Sequence, residues 1–343
     1  MIVGGIPMLL GGAAKAVYLA VAHQITPFVT VYTWSILGFG TKFTNPATLP
    51  TGAGRGVAFS PAGTEIAVGH DATPFVSAYP WSVLGFGTKF TNPATLPNST
   101  VNDVAFSPAG TEIALPHDTG GGNIAVYIWS SSGFGTKFAD PATPPASAAR
   151  DAAFSPSGNA LAVAHIGSPY QSVYPWSSGG FGTKFANAAS PPNGDGYGIA
   201  FSPAGTEIAS ASNATPFVMA WPWSGSGFGT RFTNPTTLPT GVGRAVAFSP
   251  AGTEIAVVGL VTPFINAYSW SSSGFGSKFT NPATLPNDDT QDVAFSPAGT
   301  EIAVAYETTP FVMAWPWSSS GFGTKFTNPA TLPAGKGFGI TIG

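Results

Sequence analysis

The sequence contains no cysteine among its 343 residues. Disulfides, thiolate nucleophiles, iron–sulfur clusters and cysteine-ligated zinc are therefore excluded. Charge is also scarce, because Asp, Glu, Lys and Arg make up only 8% of the chain, against about 25% in an average globular protein. With 12 Lys and Arg and a net charge of −3, the chain lacks the basic surface that phosphate binding needs, so we expect no nucleic-acid partner.

Long uninterrupted apolar runs and enzyme motifs are missing as well. The charge-free run 16–41 is interrupted by His23, Gln24 and Pro27, and the apolar segment Met1–Ala14 has no basic residue ahead of it, as a signal peptide would. We expect a soluble chain without membrane insertion. There is no Walker loop, no His-Glu-x-x-His and no Gly-x-Ser-x-Gly elbow. We therefore predict no catalytic residue, cofactor or metal, and expect a protein that is not an enzyme.

What the sequence does contain is a repeat, which is the first signal to examine because it decides the architecture. The motif Gly-Phe-Gly-Thr/Ser-Lys/Arg-Phe occurs seven times at spacings of 47 or 48 residues, with its first Phe at Phe39, Phe86, Phe134, Phe181, Phe228, Phe275 and Phe322. A second motif, Phe-Ser-Pro-Ala/Ser-Gly, occurs only six times. Apolar residues at 43% and aromatics at 13% rule out a disordered chain.

The missing copy of the second motif shows how the two ends meet. The C-terminal Gly337–Ile342 aligns with Gly196–Phe201, whereas Tyr18–His23 aligns with Glu65–His70 just beyond that motif. Residues 14–343 thus form six repeats of 47 residues and one of 48. This pattern predicts a closed ring, in which the C-terminal strand completes the N-terminal blade, rather than a linear solenoid with caps.

Each repeat reads as four short strands separated by Gly, Pro, Asn and Ser. In the second repeat we place them at Arg55–Phe59, Glu65–His70, Phe75–Trp81 and Thr88–Thr91. Seven such units predict an all-β, seven-bladed β-propeller with four antiparallel strands per blade. We expect two parts: an apolar N-terminal extension, 1–13, and a single propeller domain, 14–343.

At the level of the repeat, the chain resembles WD40-type propellers. The resemblance is carried by Val57–Val68 followed by Trp81, although the Gly-His pair before the first strand is missing and Ser82 replaces the family's Asp. The repeats GFGTKFTNPATLP and TPFVSAYPWS are also similar to uncharacterised propellers of marine and environmental phages. That second resemblance implies a virion-associated or extracellular protein.

Positions that repeat without change indicate the framework. One Trp per repeat forms a series with an aromatic residue two positions earlier, as in Trp81 and Tyr79. We expect these pairs to fill the space between blades, the alternative being a ring of sugar-stacking pockets. A second series is the basic residue of the fourth strand, which we expect to protect the outer edge, the alternative being a belt for an acidic partner: Lys42, Lys89, Lys137, Lys184, Arg231, Lys278 and Lys325.

Positions that vary indicate the binding surface. Variation concentrates in the connection from the fourth to the first strand and in that from the second to the third, which lie on one face of a propeller. One position there mixes arginine, aromatic and amide side chains, as interface hot spots do, and we predict binding at Arg55, Asn102, Arg150, Tyr197, Arg244, Gln291 and Phe338. A secondary set lies at the end of the second strand: His23, His70, His117, His165 and Tyr306.

Three functions remain open. The first is a non-enzymatic structural or decoration protein of a virion that binds protein partners through the variable loops. The second is a lectin-like propeller that recognises host glycans, and the third is an intracellular WD40-type scaffold. We favour the first, with a virion or extracellular location, on the resemblance to phage propellers and on the low surface charge.

Overall fold

A computed structural model gives the fold of residues 16–119 and 122–343. These residues form seven four-stranded antiparallel sheets and no helix, which confirms the predicted seven-bladed propeller. We number the blades by chain order. Blade 1 contains β1 (Val17–His23), β2 (Val29–Ser35) and β3 (Gly38–Lys42), and blade 2 contains β4 (Gly54–Phe59), β5 (Glu65–His70), β6 (Val76–Ser82) and β7 (Gly85–Phe86).

Blades 3 to 5 repeat this arrangement. Their strands are β8 (Ala105–Phe106), β9 (Glu112–Pro116), β10 (Ile124–Ser130) and β11 (Gly133–Lys137); β12 (Ala149–Phe154), β13 (Ala160–His165), β14 (Gln171–Ser177) and β15 (Gly180–Phe181); and β16 (Gly196–Phe201), β17 (Glu207–Ser212), β18 (Val218–Ser224) and β19 (Gly227–Phe228). In blade 3 the inner strand is short because Pro116, which has no N–H, stands where the other blades continue the ladder.

Blades 6 and 7 and the final strand complete the ring. Their strands are β20 (Gly243–Phe248), β21 (Glu254–Gly259), β22 (Ile265–Ser271) and β23 (Gly274–Lys278); β24 (Thr290–Phe295), β25 (Glu301–Tyr306), β26 (Val312–Ser318) and β27 (Gly321–Phe322); and β28 (Gly337–Ile342). The innermost strand of each blade is the first strand of its repeat, which for blade 1 is β28. Each innermost strand contacts that of the next blade around the central axis.

The ring has two distinct faces. On one face the first strand of each repeat begins and the second strand ends, as the pairing of Gly54 with His70 shows in blade 2. We call this the mouth face. The opposite side carries the Ser-Pro-Ala-Gly turns and the hairpins between third and fourth strands, and we call it the turn face. Both variable connections lie on the mouth face, as predicted.

Strand limits agree with the sequence except at the outer edge. The second strand of blade 2 is confirmed, and the first and third differ from prediction by one residue. The predicted fourth strand, Thr88–Thr91, is wrong, because the strand is Gly85–Phe86. Gly85 has a φ of +97° and pairs with Ser82 across a two-residue turn, so pairing begins immediately after the turn. The Gly-Phe-Gly motif therefore starts a strand rather than forming a turn.

Aromatic side chains fill the space between blades, as predicted. Trp81, 3% exposed, lies edge-to-face against Phe43 and Tyr18 of blade 1, with centroids 4.9 and 5.2 Å away. It makes the same kind of contact with Phe86 of its own blade, at 4.9 Å. T-shaped pairs stabilise beyond the area that they bury. This layer recurs at every blade interface, with one Trp of this series in each.

The aromatic residue two positions before the Trp is also buried, and where it is Tyr it can link neighbouring blades by a hydrogen bond. Tyr79 donates a hydrogen bond of 2.8 Å from its hydroxyl to the carbonyl oxygen of Thr48 in the preceding blade. Tyr32 donates in the same way to Thr331, at 2.7 Å, across the joint between blades 1 and 7. With both aromatic series enclosed between blades, the alternative of sugar-stacking pockets at these positions does not hold.

Ring closure occurs at the predicted place. Strand β28 pairs with β1, with Ile340 opposite Val21 and Ile342 opposite Leu19. The C-terminal strand thus occupies the innermost position of blade 1. The predicted extension, 1–13, lies outside the described residues, so the division into 1–13 and 14–343 stays a prediction.

The basic residue of each repeat, expected on the fourth strand, ends that strand in blades 1, 3 and 6 and follows it in the other four blades. It binds locally. Lys42 and Lys325 each donate a hydrogen bond of 2.5 Å to an Asn three residues later. Lys89, Lys184 and Lys278 contact an Asn at the same spacing, and Lys137 pairs with Asp140. Six of the seven basic side chains are thus held at the outer edge by a neighbour in their own repeat.

Candidate functional site

A β-bulge shapes the mouth of the central channel. In blade 2, Gly54 pairs with His70 and Gly56 with Gly69, which leaves Arg55 as the extra residue of the inner strand. A bulge bends its strand and re-aims the side chain at the extra residue. The same register shift singles out one residue in five more blades: Arg150, Tyr197, Arg244, Gln291 and Phe338.

The seven residues predicted from the sequence come together at this mouth. They and Glu307 line a cavity of about 390 Å³, which opens onto the mouth face. Small-molecule sites have volumes of roughly 300–1,000 Å³. Their juxtaposition follows from the bulges, whereas ligand binding by them stays a prediction. We call them the mouth ring: Arg55, Asn102, Arg150, Tyr197, Arg244, Gln291 and Phe338.

The three arginines of the mouth ring differ in their partners. Arg55 pairs with Asp71 at 3.2 Å, and Arg150 pairs with Asp118 at 2.6 Å. Arg244 lies over the ring of Tyr197, 4.4 Å from its centroid, as Arg55 lies over that of Phe338 at 4.5 Å. Among the described residues no carboxylate forms an ion pair with Arg244. Its guanidinium is therefore the cation of the mouth ring that is most available to an anionic or oxygen-rich ligand.

The two amides are held by neighbouring acids. Asn102 donates hydrogen bonds to Asp118 at 2.9 Å and to the carbonyl oxygen of Ala149 at 2.8 Å. Gln291 donates to Glu307 at 3.0 Å, and Glu307 also contacts Lys336. Such contacts fix the side chains in place before any ligand arrives, which preserves a defined cavity.

A second layer lies one residue deeper along the inner strands. A narrower cavity of about 230 Å³ is lined by the mouth ring and by the carboxyl groups of Asp103, Asp151 and Asp292. Asp151 accepts a hydrogen bond of 2.7 Å from the backbone N–H of Ile199 in the next blade. Asp292 accepts one of 2.8 Å from Ile340, also in the next blade. These carboxyl groups therefore face the channel and also join adjacent blades.

Burial changes the protonation of these acids. Desolvation raises the pKa of Asp292 to about 7, and the charge of Asp103 adds to the rise. Desolvation also raises the pKa of Asp103 and of Asp151, which hydrogen-bond to each other. Close carboxylates resist simultaneous ionisation and share a proton. Burial therefore favours the neutral form of Asp103 and Asp151, and the charge of Asp103 favours it further in Asp151.

This arrangement corrects an inference from the repeat. Because the three aspartates occupy one repeat position, the sequence predicts that they lie on separate blades and do not form a paired acid and base. They do lie on separate blades, but the expected lack of pairing is wrong for Asp103 and Asp151, which sit on adjacent blades and interact directly. A blade separation of about 10 Å or more applies to packed sheets, but the inner strands converge on the channel axis, and side chains that reach into the channel meet there.

The secondary set lies away from the cavity. His23, His70, His117, His165 and Tyr306 are at most 1% exposed. His23 and His70 hydrogen-bond to Thr30 at 2.9 Å and to Ser77 at 3.1 Å, and burial lowers the pKa of both to about 4. None of the five lines the cavities at the mouth, and binding by them stays a prediction. No group of three potential metal ligands occurs within 16–119 and 122–343.

Comparison with known proteins bears on the function. No family model and no curated protein matches the sequence, so the resemblance to phage propellers has no support there. Solved structures do match. A candidate 6-phosphogluconolactonase from Bacteroides fragilis is 11% identical with a TM-score of 0.77, and the match covers 96% of this chain and 99% of that chain.

Two further structures are similar in the same way. A candidate 6-phosphogluconolactonase from Bacteroides uniformis is 12% identical with a TM-score of 0.73, and the match covers 95% of this chain and 99% of that one. The periplasmic gluconolactonase of Pseudomonas aeruginosa is 15% identical with a TM-score of 0.70, over 95% and 99% of the two chains. At these identities the likeness shows the fold.

These neighbours overturn the functional expectation. The chain was expected to be a non-enzymatic binding or assembly protein of a virion, with a lectin and a WD40-type scaffold as alternatives. The solved propellers with this architecture include proteins named as lactonases, so the absence of a short enzyme motif did not justify excluding catalysis. In propellers the chemistry-bearing residues come from separate blades, and no contiguous motif has to connect them. Across the described part of the chain, no helix is long and apolar enough to span a membrane.

Proposed function

We propose that the mouth of the central channel is an active site that hydrolyses a small sugar lactone. The observation that carries this proposal is Asp292, a channel-facing carboxyl group whose pKa of about 7 suits a general base. The structural neighbours that are named as lactonases support the same reaction class.

The cavity suits an oxygen-rich ring. Its outer part has a volume of about 390 Å³ and is lined by three arginines, two amides and two aromatic rings. Arginine offers several N–H donors in a fixed plane, which matches hydroxyl and carboxylate oxygens. Arg244, held over Tyr197 and without an ion pair to a described carboxylate, is the side chain that we assign to the substrate.

The proposed reaction balances without a cofactor. The ionised carboxylate of Asp292 accepts a proton from a water molecule as that water attacks the lactone carbonyl carbon. An arginine N–H group stabilises the negative charge that develops on the carbonyl oxygen. The bond from that carbon to the ring oxygen then breaks, the proton passes from Asp292 to the ring oxygen, and the acid product releases one proton to solvent.

The experiment is a lactonase assay with matched variants. Hydrolysis of gluconolactone and of its 6-phosphate is followed by proton release in weak buffer, and the spontaneous rate is subtracted. We expect Asp292→Asn to lower kcat by roughly 10²–10⁴, the usual contribution of general base catalysis. We expect Arg244→Gln to act mainly on KM. In the wild type, kcat/KM should rise with pH through about 7, since only the ionised form of Asp292 accepts the proton.

The controls lie on the outer edge. Lys89→Ala and Lys137→Ala remove basic residues of the outer edge without touching the channel, and we expect them to retain wild-type kinetics. A wild-type protein that does not accelerate either lactone contradicts the proposal. So does an Asp292→Asn variant with full activity.

The remaining expectations stay predictions beside this proposal. They are a protein or glycan partner, no nucleic acid, and a location in a virion or outside the cell. A substrate of monosaccharide size is compatible with a secreted or an internal protein, so the lactonase assay does not depend on location.

A further inference from the structure

One joint between blades carries polar side chains where the other six are apolar. Gln171 is the first residue of β14 in blade 4, and Ser210 lies in β17 of blade 5. Both are buried, with exposures of 2% and 0%. At the position of Gln171 the other blades have only Val or Ile: Val29, Val76, Ile124, Val218, Ile265 and Val312. At the position of Ser210 they have only Val or Leu: Val21, Val68, Leu115, Val163, Val257 and Val304.

Both side chains point into the joint between blades 4 and 5, from opposite sides. In each of the six other joints, the residues at these two positions belong to one hydrophobic core cluster. The cluster between blades 4 and 5 contains Val173 and Ile208. These lie two residues from Gln171 and Ser210 in the same strands, and residues two apart in a strand share a face. A pair of apolar positions has therefore become a pair of polar ones.

Neither side chain is satisfied by the protein. Within 16–119 and 122–343, the amide nitrogen and oxygen of Gln171 and the hydroxyl of Ser210 have no hydrogen-bond partner. Buried polar groups are almost always hydrogen-bonded, because an unmet group costs the free energy of its desolvation. Two such side chains at one joint, both at positions that are apolar elsewhere, indicate a common partner.

A water molecule has the chemistry that these groups need. The amide of Gln171 offers two N–H donors and an acceptor oxygen, and the hydroxyl of Ser210 can donate and accept. Ser212, two residues beyond on the same face, donates a hydrogen bond of 3.1 Å to the carbonyl oxygen of Ala214 and can still accept one. A buried water makes about three hydrogen bonds. All three side chains are uncharged, which suits a neutral molecule rather than an ion.

We propose that one ordered water molecule bridges the side chains of Gln171 and Ser210 between blades 4 and 5. It replaces the apolar contact that each of the other six joints has at these positions. The inner strands of the same two blades are also joined, by the 2.7 Å hydrogen bond from the N–H of Ile199 to Asp151. Neither Gln171 nor Ser210 lines the cavities at the mouth, so the site is independent of the proposed lactonase activity.

A crystal structure of the full chain, at a resolution that shows ordered water, tests the proposal directly. We expect density for an oxygen atom about 2.7–3.2 Å from both the amide of Gln171 and the hydroxyl of Ser210. A joint without that density would overturn the proposal. So would a direct hydrogen bond between the two side chains.

A double-mutant cycle gives a second test, in solution. Gln171→Val and Ser210→Val each leave the other polar group with fewer partners, so we expect each to destabilise the fold. The double variant restores the apolar pair of the other six joints, and we expect it to be at least as stable as the wild type. Measured by urea denaturation, the coupling between the two substitutions should be about tenfold in the equilibrium constant for unfolding.

The control for this cycle is Ser131→Ala, in an exposed turn of blade 3. Combined with Gln171→Val it should give additive effects, because the two sites share no partner. Additive effects of Gln171→Val and Ser210→Val would contradict a shared water. A double variant less stable than both single variants would contradict it as well.

Discussion

Two layers of the same seven blades follow opposite rules. The aromatic layer between blades is nearly uniform: each interface holds one Trp of the repeated series, with a Phe of its own blade and a Phe of the preceding blade edge-to-face against it, as in Trp176 with Phe181 and Phe138. The mouth ring holds four residue types other than arginine in its seven positions, and its contacts vary from ion pairs to amide hydrogen bonds and cation–π pairs.

The difference distinguishes the residues that close the ring from those that can act on a ligand. A repeated contact at each interface stabilises closure, because every blade must pack on its neighbours. A site for an asymmetric small molecule instead needs different groups at different positions, which sevenfold identity would prevent. We therefore expect substitutions in the aromatic layer to act on stability and those in the mouth ring to act on ligands.

The largest expected effect comes from removing the strand that closes the ring. Deleting residues 334–343 removes β28, the inner strand of blade 1, and with it Ile340 and Ile342 from the core cluster that contains Leu19 and Val21. Each such side chain contributes about 1.5–3 kcal/mol through burial. We expect a loss comparable with the whole stability of a domain, roughly 5–15 kcal/mol, visible as loss of the cooperative thermal transition in circular dichroism.

The matched control is removal of residues 1–13 at the other end. The repeat predicts that these residues lie outside the seven blades, so we expect the shortened chain to keep a cooperative transition close to that of the full chain. Full-length melting behaviour of the C-terminal deletion would contradict the closed ring.

A smaller effect on the free energy of unfolding is expected when one residue is changed in each layer. Trp81→Ala leaves a cavity among Phe43, Phe86 and Tyr18, and such truncations cost about 3–5 kcal/mol. Arg244→Gln, in the mouth ring, should change the free energy of unfolding by less than about 1 kcal/mol, since its main contact is a partly exposed cation–π pair. Chemical denaturation measures both. If Arg244→Gln destabilised the fold as much as Trp81→Ala, the division between the two layers would be lost.

Much of the fold could be predicted because the repeat compares the chain with itself. Seven copies reveal which positions never change, so the aromatic core, the blade count and the closure by Gly337–Ile342 follow from the sequence alone. The outer strand was misplaced, because its position depends on a positive φ at Gly85, and a glycine in sequence indicates either a turn or the residue just after one.

The site was predicted only in part. The seven residues of the mouth ring were recognised by their mixed composition, but Asp103, Asp151 and Asp292 were dismissed. Their raised pKa values depend on convergence of the inner strands and on mutual proximity, which spacing along the chain does not encode. One signal was available: a carboxylate in three blades where the others have only Gly or Ala, at the position beside the predicted hot spot.

The smallest expected effect concerns the pH dependence of stability, which differs between the deeper cavity and the buried histidines. Desolvation lowers the pKa of His23 and His70 to about 4 from an ordinary value of 6.5. The unfolded chain therefore binds more protons at these sites, and their contribution to stability rises with pH until about 6.5 and is then constant. Above pH 6.5 the histidines no longer add a slope.

Asp292 changes stability with pH in the opposite direction to the histidines. Its pKa is about 7 in the folded chain and 3.8 otherwise, so the folded chain binds more protons there. That contribution is fully present below pH 3.8 and is lost as pH rises through 7. Between pH 6.5 and 8 its loss amounts to about 1 kcal/mol.

Urea denaturation measures the free energy of unfolding at these two pH values. We expect the wild type to lose stability between pH 6.5 and 8, and Asp292→Asn to lose about 1 kcal/mol less over the same interval. This difference does not depend on the absolute stability of the variant. The same substitution on the outer edge, Asp140→Asn, should leave the wild-type slope intact, and an unaltered slope in Asp292→Asn would mean that the carboxyl group is ionised throughout this range.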